Sequence, residues 1–275
     1  LRIDYRGDTL WTRTFPHQRY SEFETAVMVP RQGYLFGGSK TVTTGIDNDF
    51  YLVMTDFQGR VLWERTFDNH RQADHLHTII PVHEGFIIGG STSSNTPQMQ
   101  CNPWVMMVDH QGRMVWESVL PFGGSGNALA PAPDGGFFVT GGTVPGNNFY
   151  FARFDRDRHP MWHLVLPEHG FGRKILRAGN YYYVTGFKEV NQPHPERRIV
   201  FFKISDLGEI IWGRDYLRDP FMGMDLIKTM PHGFAIGGQT DIGNSNETVL
   251  MHLTDEPITV SMRLNGHPVI PPMGG

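Results

Sequence analysis

A short motif recurs along the chain at a nearly fixed interval. "DYRGDTLW" begins at Asp4, "DFQGRVLW" at Asp56, "DHQGRMVW" at Asp109, "DRDRHPMW" at Asp155 and "SDLGEIIW" at Ser205. The tryptophans, Trp11, Trp63, Trp116, Trp162 and Trp212, are spaced by 52, 53, 46 and 50 residues. A second series runs in step: "GYLFGGS", "GFIIGGS", "GFFVTGG", "YYYVTGF" and "GFAIGGQ" each place a glycine after an aromatic-led apolar run. Those glycines, Gly38, Gly90, Gly141, Gly186 and Gly238, are spaced by 52, 51, 45 and 52 residues. Both series shorten at the same unit, so they mark one repeat, and a repeat of this length restricts the architecture before any single residue is interpreted.

Each unit divides into four strand-length pieces, as in "ETAVMVP", "YLFGGS", "DFYLVMTD" and "VLWERTF". The pieces are rich in β-formers, bounded by Gly, Pro, Asn or Asp, and free of a sustained 3.6-residue period. The spacing therefore predicts an all-β fold with few helices. Four strands per unit of about 50 residues, in tandem, read as blades of a β-propeller. The blades fall at about 21–67, 73–120, 126–166, 171–217 and 222–254, the last completed by 9–15, with residues 1–264 forming one propeller and 265–275 a Pro/Gly-rich tail. In this reading the N-terminal strand "TLWTRTF" closes the fifth blade beside "TVLMHLT". "ITVSMRL" (258–264) competes for that place, and a six-bladed ring is the alternative.

The tryptophans and glycines have structural roles in this scheme. An indole buries ~200 Å² and seals one sheet against the next. The repeated Gly permits a close backbone approach that a side chain would obstruct.

The Gly-Gly-Ser/Thr … Asp-x-x-Gly-x-x-x-Trp pattern resembles tandem propeller repeats of secreted and surface proteins from Bacteroidota and related bacteria, over nearly the whole chain. Its Gly-x-x-x-Trp element is similar to the tryptophan-docking motif of quinoprotein-type propellers. Arg158 replaces the turn Gly in one copy, Ser205 replaces the Asp in another, and no Trp follows Asp255. The resemblance implies a propeller fold and a secreted or cell-surface location; it implies little about activity.

Composition narrows the partners. A formal net charge of -4 supplies no basic field for a phosphate backbone, which argues against nucleic acid. The longest apolar runs, "GFIIGG" and "PWVMMV", fall far short of a membrane helix. Leu1 opens almost directly into a strand-like segment, as a processed or trimmed chain would. Cys101, the only cysteine, has no disulfide partner and no zinc-ligand spacing. There is no nucleophile elbow, P-loop or dinucleotide fingerprint, so no cofactor is expected.

Propellers bind at the channel mouth, where loops meet the innermost strands. Counting 13 residues back from the repeated Gly gives Thr25, His77, Ala128, Arg173 and Asp225, and one step further back lie Glu24, Leu76, Asn127, Gly172 and Met224. The ligand-binding candidates are Glu24, Thr25, His75, His77, Asn127, Arg173 and Asp225. His75 and His77 alternate onto one strand face but lack a third ligand, and "DNDF" (47–50) and "DRDR" (155–158) do not continue into a calcium loop; no metal is assigned.

Three functions compete: a non-catalytic protein-interaction propeller in a bacterial envelope assembly, which is preferred; a glycan or small-ligand module using aromatics such as Phe23, Phe171 or Trp104; and a glycoside hydrolase acting through Glu24, Asp74 and Asp225, which needs two carboxyls ~5–9.5 Å apart. No catalytic residue is assigned.

Overall fold

A computed structural model describes residues 1–15, 21–41, 48–69, 73–93, 101–120, 123–144, 146–190, 196–216, 221–229, 233–242, 245–254, 261–264 and 267–269. Among them there are strands and turns and no helix. The tail at 265–275 lies mostly outside the described residues. The chain forms two compact units, Leu1–Gly126 and Asn127–Gly275.

In the first unit, β1 (Arg2–Ile3) pairs with β2 (Thr9–Trp11). Two four-stranded antiparallel meanders follow. One runs β3 (Ser21–Val29), β4 (Gly33–Thr41), β5 (Asn48–Thr55) and β6 (Val61–Phe67). The other runs β7 (Asp74–Val82), β8 (Gly85–Ser93), β9 (Cys101–Asp109) and β10 (Met114–Val119). Phe50, Leu52 and Met54 of β5 join Leu76, Ile88, Trp104 and Met106 of the second sheet in a single core. Tyr51 and Val53, on the opposite face of the same strand, are also buried. A strand apolar on both faces reads as a continuous hydrophobic run, which "FYLVM" is.

The strand β11 (Gly124–Pro131) leads into the second unit, where it begins a seven-stranded sheet with β12 (Phe137–Thr143), β13 (Asn148–Phe154), β14 (Pro160–Ala178), β15 (Tyr181–Val190), β16 (Glu196–Ser205) and β17 (Ile210–Tyr216). The sheet is seven-stranded because β14 is continuous. Its first half pairs with β13 and its second half, from Gly170, with β15. The repeats expected at 126–166 and 171–217 thus share one strand, with no loop between them. A last sheet contains β18 (Phe221–Thr229), β19 (Gly233–Ile242), β20 (Ser245–Thr254), β21 (Ser261–Leu264) and β22 (His267–Val269). Two cores lie in this unit, one centred on Phe138, Phe151 and Val184, the other on Phe201, Phe234 and Met251.

The expected closure by the N-terminal strand is corrected here. β20 pairs with β21, register Val249↔Leu264, whereas β2 pairs with β1. The segment 261–264 can form a ladder beside β20 without a tryptophan, because pairing uses backbone groups and the indole serves a different contact.

That contact is visible at three tryptophans. At Gly112, φ is +76° and a Cβ would lie 2.8 Å from the Trp63 ring, so the indole of the first sheet rests on the turn of the second. Trp162 covers Gly208 in the same way and donates its indole N–H to the Asp206 carbonyl at 3.1 Å. Trp11 covers Gly59 and donates to the Phe57 carbonyl at 3.0 Å. The turns share one construction. Asp56 Oδ1 accepts from the Gln58 and Arg60 amides, both at 2.9 Å, and Asp109 does the same for Gln111 and Arg113. At the deviant copies Ser205 Oγ accepts from the Glu209 amide at 3.0 Å, and Arg158 adopts φ +70° where glycine stands elsewhere.

The repeated glycine has a distinct cause. A Cβ on Gly90 would stand 1.9 Å from the His75 carbonyl oxygen, and Gly38 and Gly186 meet Glu22 and Phe171 equally closely. Gly90→Ala must push backbone against backbone, so it is expected to cost about 1–3 kcal/mol or more and to lower the melting temperature by several degrees. An unchanged thermal or urea transition in Gly90→Ala would show that the approach is not needed.

Candidate functional site

The glycines sit opposite a β-bulge. Phe23 pairs with Gly38 and Thr25 with Gly37, leaving Glu24 as the extra residue. Leu76 pairs with Gly90 and Thr78 with Gly89, leaving His77. Arg173 and Met224 occupy the same position opposite Gly186 and Gly238. Bulges re-aim side chains and recur beside binding sites. Counting back a fixed 13 residues aligns Thr25 with His77 and Asp225 with Arg173. The ladder corrects this to Glu24 and Met224, because the connection to β4 and to β19 is one residue longer.

In the first unit the bulges bring Glu24 and His77 together, Oε2 to Nδ1 at 2.8 Å. His77 Nε2 lies 3.4 Å from Ser91 Oγ, and the His75 ring is parallel to that of His77 with centroids 6.4 Å apart. Burial, then the neighbouring His77, hold the His75 imidazole below its usual range. The carboxylate–imidazole–hydroxyl line has the order of a nucleophilic relay. Ser91, however, is 6% exposed, so the line ends in the core, away from any acyl group. Its effect is to fix the His77 ring. Thr25 pairs with Gly37 and lines a groove of ≈ 350 Å³ with Glu24, Trp11, Phe15, Phe23 and Phe36.

In the second unit Asn127 is buried and donates to the Gly172 carbonyl at 2.9 Å, which makes it a structural clamp. Asp225 is paired with Lys174 at 3.1 Å, and Arg173 lies over the Phe187 ring at 5.9 Å. A pocket of ≈ 170 Å³ is lined by Phe149, Phe202, Lys188 and Asp215, the last two joined at 2.5 Å.

Two of the expected residues fail on burial. Asp74 is fully buried, so it cannot be one of two carboxyls flanking a sugar. Trp104 is 1% exposed, its ring tilted against Phe50 with centroids 4.5 Å apart, and it donates to Glu117 at 3.1 Å; it offers no face to a glycan. Phe23 packs on Tyr51 and Phe171 on Phe187, each at about 5.5 Å between centroids.

Two arrangements escape a motif search. Arg153 lies 1% exposed in the second unit, bonded to Asp134 at 2.6 Å and to the Phe154 carbonyl, with its guanidinium over Phe138. Desolvation pushes the Asp134 carboxyl up, but the Gly136 amide and Arg153 outweigh it and hold it below the usual range. The other is a group of carboxylates, Asp49, Asp68 and Asp74, each with an oxygen within 4.8 Å of the others. Burial first, then Asp49 and Asp68, raise Asp74 to about 7. Comparing repeat copies would have singled out Asp68 and Asp74, whereas the Asp49 position also holds an acid, Glu247, in the fifth repeat.

No protein-family model matches the chain, and no curated protein sequence matches it. Among solved structures, hydrazine synthase of Kuenenia stuttgartiensis is similar over 92% of this chain and 70% of that one, with 9% identity and a TM-score of 0.58. The α-L-arabinanase of Cellvibrio cellulosa aligns over 90% of this chain and 95% of that one, with 15% identity and a TM-score of 0.36, too loose to carry an argument. The likeness shows the fold alone: all-β and of the propeller type. Among the described residues no helix is long and apolar enough to cross a membrane.

Arg153→Ala is expected to destabilise the protein by roughly 3 kcal/mol, with Arg153→Lys intermediate, because the planar fork and its stacking are lost. The Asp134 contribution is present above the ordinary carboxylate pKa and is lost as pH falls through the lowered one. The acid limb of a stability–pH curve should therefore flatten in Arg153→Ala; a parallel curve would show that the pair contributes nothing.

Proposed function

We propose that this protein is a non-catalytic interaction module: a β-propeller of five blades, secreted or at the cell surface, that engages a protein partner in a bacterial envelope assembly. One observation carries the reading. The outer strands β6, β10 and β17 are the edges of their sheets, and each presents two consecutive apolar residues to solvent before its tryptophan. Val61 and Leu62, Met114 and Val115, and Ile210 and Ile211 are 37–57% exposed. Edge strands with free backbone groups and open apolar side chains are templates for pairing, and monomeric proteins usually blunt them. Here the exposure repeats with the period of the fold. The bulge residues Glu24 and His77 are engaged with each other, and beside the bulges of the second unit Lys174 is paired with Asp225, which supports binding over catalysis.

Leu62→Glu, Val115→Glu and Ile211→Glu together change only exposed positions. The native protein, isolated gently from the envelope fraction, is expected to elute in an assembly heavier than its 31.2 kDa, and the triple variant as a monomer with an unchanged melting temperature. Elution of both forms as monomers would sink the proposal.

A second reading rests on the aromatic groove of the first unit. Phe15, Phe23 and Phe36 beside Glu24 form an apolar wall with a polar handle, a chemistry suited to a glycan ring. Phe23→Ala should abolish oligosaccharide binding measured by calorimetry, and no heat from a broad oligosaccharide panel on the native protein would dismiss it.

A further inference from the structure

We propose that Asp49, Asp68 and Asp74 form a calcium site that ties the first four-stranded sheet to the second. Asp49 lies in β5, Asp68 directly follows β6, and Asp74 opens β7, so the three come from both sheets. One oxygen from each lies within 4.8 Å of the others. Oxygens bound to one calcium ion at 2.3–2.6 Å are separated by at most about 5 Å, so this spacing suits a shared ion.

An independent observation points the same way. Asp74 is 0% exposed, its Oδ2 accepts from the Asn69 amide at 2.8 Å, and its Oδ1 has no hydrogen-bond partner. A buried carboxylate oxygen left unmatched is costly, and a cation is the partner such an atom lacks. Asp49 is also buried, so bulk water does not screen the repulsion between the two.

The other repeats show how this junction is built when no ion is needed. Counting along the ladders from the repeated glycine and tryptophan, the third repeat has Asn148, Pro167 and Gly170 at the three positions, and the fourth has Arg198 and Phe221 at the first and third. Asn148 donates its amide to the Leu166 and Pro167 carbonyls, both at 3.0 Å. A donor there meets acceptors and the junction closes. In the first repeat the three positions supply acceptors only. The third and fourth repeats carry no acid at these positions and the fifth carries Glu247 at that of Asp49, so the fold does not require all three.

The ligand chemistry selects the metal. The set is all oxygen, with the Thr92 hydroxyl beside it, which hydrogen-bonds the Asp74 carboxyl and accepts from Asn69 Nδ2 at 3.0 Å. Carboxylates on three separate segments suit the irregular shell of calcium better than the strict octahedron of magnesium.

The test uses the whole chain, stripped with a chelator and placed in mildly alkaline buffer. Millimolar calcium chloride is expected to raise the melting temperature by several degrees, with one-site heat in calorimetry and a weaker response to magnesium. Asp74→Asn and Asp49→Asn should lose that response, and Asp157→Asn, in a surface turn, should keep it. No heat and no thermal shift in the native protein would overturn the site. A calcium response that survives in Asp74→Asn would overturn it equally, and the native-protein measurement decides the matter even where a variant fails to fold.

Discussion

The structure depends on sheets whose central strands have no polar face. Residues 49–55 are buried without a break, so β5 hides side chains on both sides, and β8 and β13 behave in the same way. A four-stranded sheet of this kind cannot stand alone in water, because each face that stays wet forfeits the burial of several large side chains, at ~25 cal/mol per Å². It must be stacked between neighbours. The three cores, one in the first unit and two in the second, are the seams that result.

Given that stacking, the small residues become intelligible. Trp63 reaches from one sheet to the turn of the next, and the turn accepts it only because Gly112 has no side chain and can adopt a positive φ. Gly90 is small for another reason, since the bulged strand opposite brings the His75 carbonyl into its Cβ position. The two glycine series therefore mark two contacts. One lies at the outer turn between sheets, and the other lies within a sheet at the bulge that directs Glu24 and His77.

Much of the candidate site was legible only as a list of positions. Glu24, His77, Arg173 and Asp225 were found by counting from the repeated glycine, but the counting assumed loops of equal length. A single added residue before Gly38 and before Gly238 changed which side chains are equivalent. Burial was the other quantity that periodicity does not report. Asp74 and Trp104 look like surface functional groups in a polar or aromatic context, yet both lie in the core, where neither can face a sugar. Arg153 sits in "YFARFDRDR" as one charge among several, and nothing local marks it as the one that is enclosed.

The sequence by itself determined the strands, the turns and their period. Those depend on contacts a few residues long: an Asp side chain capping its own turn, a glycine where φ is positive, an apolar run of strand length. Ladder register, the strand that lies beside β20, the fusion of two repeats through β14 and the meeting of Asp49, Asp68 and Asp74 were decided by tertiary structure. Each of these joins residues that share no local signal, through hydrogen bonds and charges whose geometry exists only after the sheets have packed.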